Sequence, residues 1–287
     1  MMLKGSLWLV GISAIAYLAL CALLWVGQRR LIFVPDRLLT LNPSALGLSY
    51  QEVWVPVDRS RTDRLHGWWL PAEGSASDLT VLYLHGNAGN VGHHLSLASR
   101  FQRLGLPVLL VDYRGYGLSS GPFPSEARLY EDALAAWHYL TNERHLPPSK
   151  VLIFGHSIGG AVAIDLASQV PEAAGLIVEN TFTSMGDMAT WLGYGNWVPV
   201  QWLLTQRFDS LQKVPNLKLP VLFIQGLADR TVPPEMSGRL YEAASEPKWI
   251  WTVAQGEHNN VAEVAGTEYD RRILQFLTHL AEREQSG

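Results

Sequence analysis

Residues 151–163 constrain the fold of this chain more than any other stretch. Val151-Leu152-Ile153-Phe154 is a short run of β-formers, and Gly155-His156-Ser157-Ile158-Gly159-Gly160-Ala161-Val162-Ala163 follows it without a loop. An apolar run of this length suits a strand buried on both faces, and the small residues after it suit a helix packed tightly on a sheet. A strand that turns into a helix so abruptly needs residues without bulk around the turn, because a side chain there would collide with the neighbouring backbone. The same alternation recurs along the chain. Residues 79–84, 107–112, 176–179, 221–225 and 249–253 read as strands, and residues 52–57 and 67–70 as an early hairpin. Residues 125–140, 161–170 and 271–283 carry apolar positions at helical spacing. The expectation is an α/β fold: a mostly parallel sheet flanked by helices on both faces.

Two segments stand outside this rhythm. Residues 7–26 contain no charged side chain, with Trp8 and Trp25 near the ends, Lys4 before them and Arg29 and Arg30 after. About 20 apolar residues cross a bilayer core of about 30 Å, and aromatic rings favour the headgroup level. A cleaved leader has an apolar region of about 7–15 residues and a small-x-small site. Here the run is longer and Ala19-Leu20-Cys21 is a poor site, so the reading is a retained, single-pass transmembrane anchor in residues 1–30. A connecting segment (31–50) and a globular domain (51–287) follow. Arg29, Arg30 and Arg37 against Lys4 favour, by a small margin, a cytoplasmic placement of that domain. The second segment, residues 185–208, interrupts two core strands with Trp191, Trp197, Trp202, Leu203 and Leu204. It reads as a small lid, with a helix pair packed away from substrate as the alternative.

Composition removes other classes. The 287 residues carry a net charge of −4 and no Lys/Arg run in the body of the chain, so no basic field exists to hold nucleic acid. The single Cys21 forms no internal disulfide. No phosphate-binding or metalloprotease motif occurs, and His93-His94 lacks a third ligand at zinc spacing. The expectation is a reaction without cofactor or metal.

Two stretches satisfy Gly-x-Ser-x-Gly. Ser119, in Gly117-Leu118-Ser119-Ser120-Gly121, is followed by Pro122-Phe123-Pro124, which cannot begin a helix directly. Ser157 sits between strand and helix, where a hydroxyl is exposed at the sheet edge and the helix amino terminus faces developing negative charge. Together with His85-Gly86-Asn87-Ala88-Gly89-Asn90 and Asp112-Tyr113-Arg114-Gly115-Tyr116-Gly117, this elbow resembles the α/β-hydrolase superfamily. More narrowly, it resembles the membrane-anchored α/β-hydrolase-domain serine hydrolases, with a leading hydrophobic helix and this His-Gly-Asn loop. The likeness runs from the anchor to the final helix and implies fold and reaction type rather than substrate.

In such a fold the order is nucleophile, acid, histidine. Ser157 is the expected nucleophile, Asp229 the acid and His258 the base, the last two lying in loops after predicted strands. Glu179, at the end of an earlier strand, is the rival acid, and Glu257 adjoins the base too closely in sequence to pair with it. The oxyanion hole is expected from the backbone N–H groups of Asn87 and Ile158, with the Asn87 side chain as a further donor. Asp112 and Arg114 are expected to brace a loop as a pair. The expected reaction is hydrolysis of a carboxylic ester or thioester with an apolar acyl group, on a lipid-like substrate or an acylated protein. A peptidase or amidase on the same residues, and a non-catalytic membrane scaffold, remain alternatives.

Overall fold

The computed structural model describes residues 2–57, 62–74 and 77–286. Helix α1 (Met2–Ile32) leads into an eight-stranded sheet. Its strands are β1 (Gln51–Pro56), β2 (Arg64–Leu70), β3 (Thr80–Leu84), β4 (Val108–Val111), β5 (Val151–His156), β6 (Gly175–Glu179), β7 (Val221–Gly226) and β8 (Lys248–Val253). They lie in the order β1-β2-β4-β3-β5-β6-β7-β8. The β1–β2 and β2–β4 pairs are antiparallel, and all others are parallel. The two expected strands at the start therefore form the hairpin, and the sheet is mostly parallel as expected.

Alternation along the strands sorts their side chains into two layers. In β3, Leu82 and Leu84 face one layer while Val81 and Tyr83 face the other. The first layer packs against helices α3 (Glu126–His138), α4 (Ile158–Gln169) and α8 (Pro234–Ala243). The second packs against α2 (Leu95–Arg103) and α10 (Thr267–Ser286). Helices α2 and α8 carry no strong sequence signal. Helix α2 is led in by a capped 3-10 turn (Val91–His94), where the Asn90 side chain accepts from Gly92 N–H and His93 Nδ1 accepts from Asn90 N–H.

Within α1, Trp8–Ile32 spans 25 residues at a mean hydropathy of 2.4 and is exposed over most of its length, which makes it a candidate membrane span. Its last turns are docked. Gln28 donates to Leu203 O (3.1 Å) and accepts from Thr205 N–H (2.7 Å), and Arg29 Nε donates to Pro124 O (2.7 Å). Cys21 packs with Val198 and Val200 in a small apolar cluster. Beyond the helix the chain is not a plain connector. Val34-Pro35 pairs in parallel with Ala88-Gly89, and the Asn87 side chain donates to Ile32 O. The interrupting segment forms α5 (Met185–Trp191) and the short α6 (Val200–Leu203) beside the end of α1, and Phe208 already belongs to the core.

Candidate active site

Parallel strands deliver their carboxyl ends to one edge, and the loops after β5, β7 and β8 place Ser157, Asp229 and His258 there. His258 Nε2 lies 3.0 Å from Ser157 Oγ, and His258 Nδ1 lies 2.7 Å from Asp229 Oδ2. The other Asp229 oxygen accepts from the backbone N–H groups of Thr231 (2.7 Å) and Val232 (2.9 Å). That arrangement fixes the carboxylate's rotation and leaves one oxygen for the imidazole. A carboxylate accepts only, so Nδ1 carries the ring proton and Nε2 is free to accept from the serine hydroxyl.

Ser157 has φ 55° and ψ −122°, a conformation that costs a non-glycine residue energy and is held by its surroundings. Its N–H donates to Glu179 O (2.9 Å), and its carbonyl accepts from Thr181 Oγ1 (2.8 Å). The flanking glycines are obligatory: a Cβ on Gly155 would lie 2.2 Å from Gly159 O, and one on Gly159 would lie 2.1 Å from Leu84 O. The turn is therefore clamped between β3, β5 and β6.

Ile158 opens α4, where an N–H has no partner within its own helix. The loop after β3 comes close to it, since a Cβ on Gly86 would stand 3.6 Å from the Ser157 Cβ. The Asn87 side chain is committed elsewhere. Besides donating to Ile32 O it accepts from Tyr116 Oη at 3.0 Å, which removes it as an oxyanion donor and leaves only the backbone amide for that role.

The rival residues have other partners. Glu179 is buried and accepts from Tyr269 Oη (2.8 Å). Burial pushes its carboxyl up to about 7, against the pull of that hydrogen bond. Glu257 is exposed, its N–H donating to Asn260 Oδ1. Ser119 is buried, its hydroxyl donating to Asp112 O (2.7 Å) and accepting from His66 N–H (2.8 Å), so it fastens a loop. Asp112 and Arg114 also brace, but not with each other. Asp112 accepts from Val91 N–H (2.9 Å), while Arg114 Nε pairs with Asp132 (2.6 Å). The expected Asp112–Arg114 pair is replaced because the next helix supplies a closer carboxylate. His93 closes a capping box on the 3-10 turn Val91–His94, and His94 is half-buried, with desolvation holding its ring well below the usual histidine range.

Two supporting residues escaped the sequence reading. His156 Nε2 donates to His258 O (2.8 Å), and Asn180 Nδ2 donates to the same carbonyl (2.9 Å). Burial, with the neighbouring His258 adding to it, pushes the His156 ring down to about 4, so it is a neutral donor that holds the base's backbone. Asn180 sits at φ 48° one residue after β6, a place where Asn is tolerated, and only the fold reveals its partner.

A cavity of about 1100 Å³ opens over Ser157 and His258. Its apolar wall includes Met185, Met188, Leu192 and Val198 from the interrupting segment and Leu24 and Ile32 from α1. Trp191, Trp197 and Trp202 are absent from that wall and exposed.

A mostly parallel eight-stranded sheet with a serine elbow after β5 defines an α/β hydrolase. The chain belongs to that family. It is 32% identical over 281 residues to the α/β hydrolase domain-containing protein WAV2 of Arabidopsis thaliana, covering 91% of this chain and 90% of that one. It is 36% identical to an uncharacterized protein of Mycobacterium tuberculosis, over 95% of each chain. Protein bem46 of Schizosaccharomyces pombe is 38% identical over 72% of this chain and 70% of its own. Residues 75–212 match the family described as serine aminopeptidase, S33. Among solved structures, the Pyrococcus furiosus esterase Pf2001 superposes with a TM-score of 0.70 at 23% identity, covering 86% of this chain and 98% of the esterase, a likeness of fold.

Proposed function

We propose that this chain is a membrane-anchored serine hydrolase that cleaves a carboxylic ester or thioester of an apolar acyl group through an acyl-enzyme. The observation that carries this reading is the continuous relay from Asp229 through His258 to Ser157, at 2.7 and 3.0 Å, at the foot of an apolar cavity. Ser157 Oγ attacks the carbonyl carbon while His258 Nε2 takes its proton, and the oxyanion is held by the N–H groups of Ile158 and Asn87. Collapse expels the alcohol or thiol, which receives the proton from His258. Water then attacks the acyl-serine with His258 again as base, and the carboxylic acid leaves. Segment 185–204 acts as the lid, and α1 is the retained anchor.

The test is labelling by a fluorophosphonate probe together with a chain-length series of ester and thioester substrates. Wild-type protein is expected to label and to favour longer acyl groups, while Ser157→Ala loses both labelling and turnover. Labelling that persists in Ser157→Ala would reject the nucleophile. The match to an aminopeptidase family motivates a second reading, hydrolysis of an aminoacyl amide. Faster turnover of aminoacyl amides than of acyl esters would establish it.

A further inference from the structure

Helix α1 does more than tether the domain. Its uncharged residues 7–26, at 1.5 Å each, extend about 30 Å, the thickness of a hydrocarbon core, and the helix continues past them to Ile32. These last turns lie where the helix meets the body. Leu24 and Ile32 are walls of the catalytic cavity, and Gln28 between them is buried and bonded to the chain after α6. The acyl arm is thus built jointly by segment 185–204 and by the end of the membrane helix.

The same segment also exposes a group of aromatic side chains. Trp202 is 88% exposed and Trp197 78%, with Tyr194 at 56% and Trp191 at 48%. Water-facing surfaces rarely gather such side chains, whereas Trp and Tyr concentrate at the headgroup level of bilayers. The Cys21–Val198–Val200 cluster and the Gln28 bonds tie this surface to α1, so a helix spanning the bilayer carries the aromatic patch to the interface with it. The continuity of the patch with a membrane-spanning helix selects lipid over a protein partner as its cover.

We infer that segment 185–204 lies in the interfacial layer of the bilayer beside α1, so that the apolar arm opens to the lipid phase. Its substrate is then a membrane-resident acyl lipid that reaches Ser157 without crossing water. The substrate half rests on the acyl-hydrolase reading above; the seating of the segment does not.

The experiment uses the full chain in phosphatidylcholine vesicles and has two arms. In the first, Trp202→Cys is labelled with an environment-sensitive maleimide fluorophore, the native Cys21 being buried. Blue-shifted emission quenched by lipids doxyl-labelled near the headgroup is expected. Water-like emission quenched by aqueous iodide alone overturns the seating, and this arm decides it even in a protein with no hydrolase activity. In the second, Trp197→Ser/Trp202→Ser is compared with wild type on a vesicle-borne oleoyl ester and on a soluble butyrate ester in detergent. A tenfold or greater fall on the oleoyl ester, with butyrate turnover within twofold, is expected. Equal rates on both substrates overturn lipid-phase entry, as does an equal fall on both. Leu24→Trp, which narrows the arm from the helix side, is expected to lower the oleoyl-to-butyrate ratio at least tenfold; an unchanged ratio removes α1 from the acyl site. Absence of probe labelling and of butyrate turnover in wild type would sink the hydrolase reading instead, a distinct outcome.

Discussion

Replacing Asp229 by Asn tests the relay at its least ambiguous atom. In the wild type one Asp229 oxygen accepts from Thr231 and Val232 N–H, and the other accepts from His258 Nδ1. Asn has one acceptor and one donor end. Two backbone donors require its carbonyl oxygen on their side, so its NH2 group must face His258. Nδ1 then becomes an acceptor, and the ring proton moves to Nε2, 3.0 Å from the serine hydroxyl it should deprotonate. The loop keeps its backbone bonds while the base is blocked. Loss of the correct tautomer costs a serine hydrolase about 10⁴ in kcat, equivalent to about 5.4 kcal/mol of transition-state stabilisation. The assay is steady-state release of p-nitrophenol from an acyl ester, with the unfolding midpoint measured in parallel. Glu179→Gln serves as the control and is expected to stay within about threefold, since Glu179 bonds Tyr269 rather than the imidazole. A fall of less than tenfold in Asp229→Asn, or a larger fall in Glu179→Gln, would refute the assignment.

Other substitutions read different layers of the structure. Glu179 has its folded-state pKa raised from 4.5 to about 7, so its contribution to stability is complete below pH 4.5 and is lost as pH rises through 7. That interval corresponds to about 3 kcal/mol; Glu179→Gln is expected to gain on wild type by up to that amount between pH 5 and pH 8 in denaturant titrations, and a pH-independent difference would contradict it. Gly159→Ala drives a methyl to 2.1 Å from Leu84 O and is expected to cost at least about 3 kcal/mol or to abolish soluble expression. Ser119→Ala strips a buried hydroxyl from His66 N–H and Asp112 O and is expected to cost about 1–3 kcal/mol while leaving probe labelling intact.

The sheet was legible because strands buried on both faces keep continuous apolar runs, and the elbow because only small residues fit beside Ser157. The juxtaposition of Ser157, Asp229 and His258 at one sheet edge was legible once the strand ends were placed. Local sequence hid what depends on distant partners. Nothing near Asn87 in sequence announces Ile32 and Tyr116 as the partners of its amide, and nothing near Arg114 favours Asp132 over Asp112. The role of His156 was hidden because its partner lies 102 residues away. The exposure of Trp197 and Trp202 in segment 185–204 was likewise not legible locally, because it depends on how the segment packs beside the end of α1.

The two-residue ladder between Val34-Pro35 and Ala88-Gly89 bears on how this protein is handled. The peptide leaving α1 is stitched directly to the loop after β3 that approaches Ser157, and the Asn87 amide is fastened to the last carbonyl of α1. A truncation made for solubility that starts after Asp36 would delete those stitches along with α1. Such a fragment can fold, bind a suicide probe weakly and turn over slowly for reasons unrelated to its chemistry, so cutting ahead of Gln28 is the safer boundary.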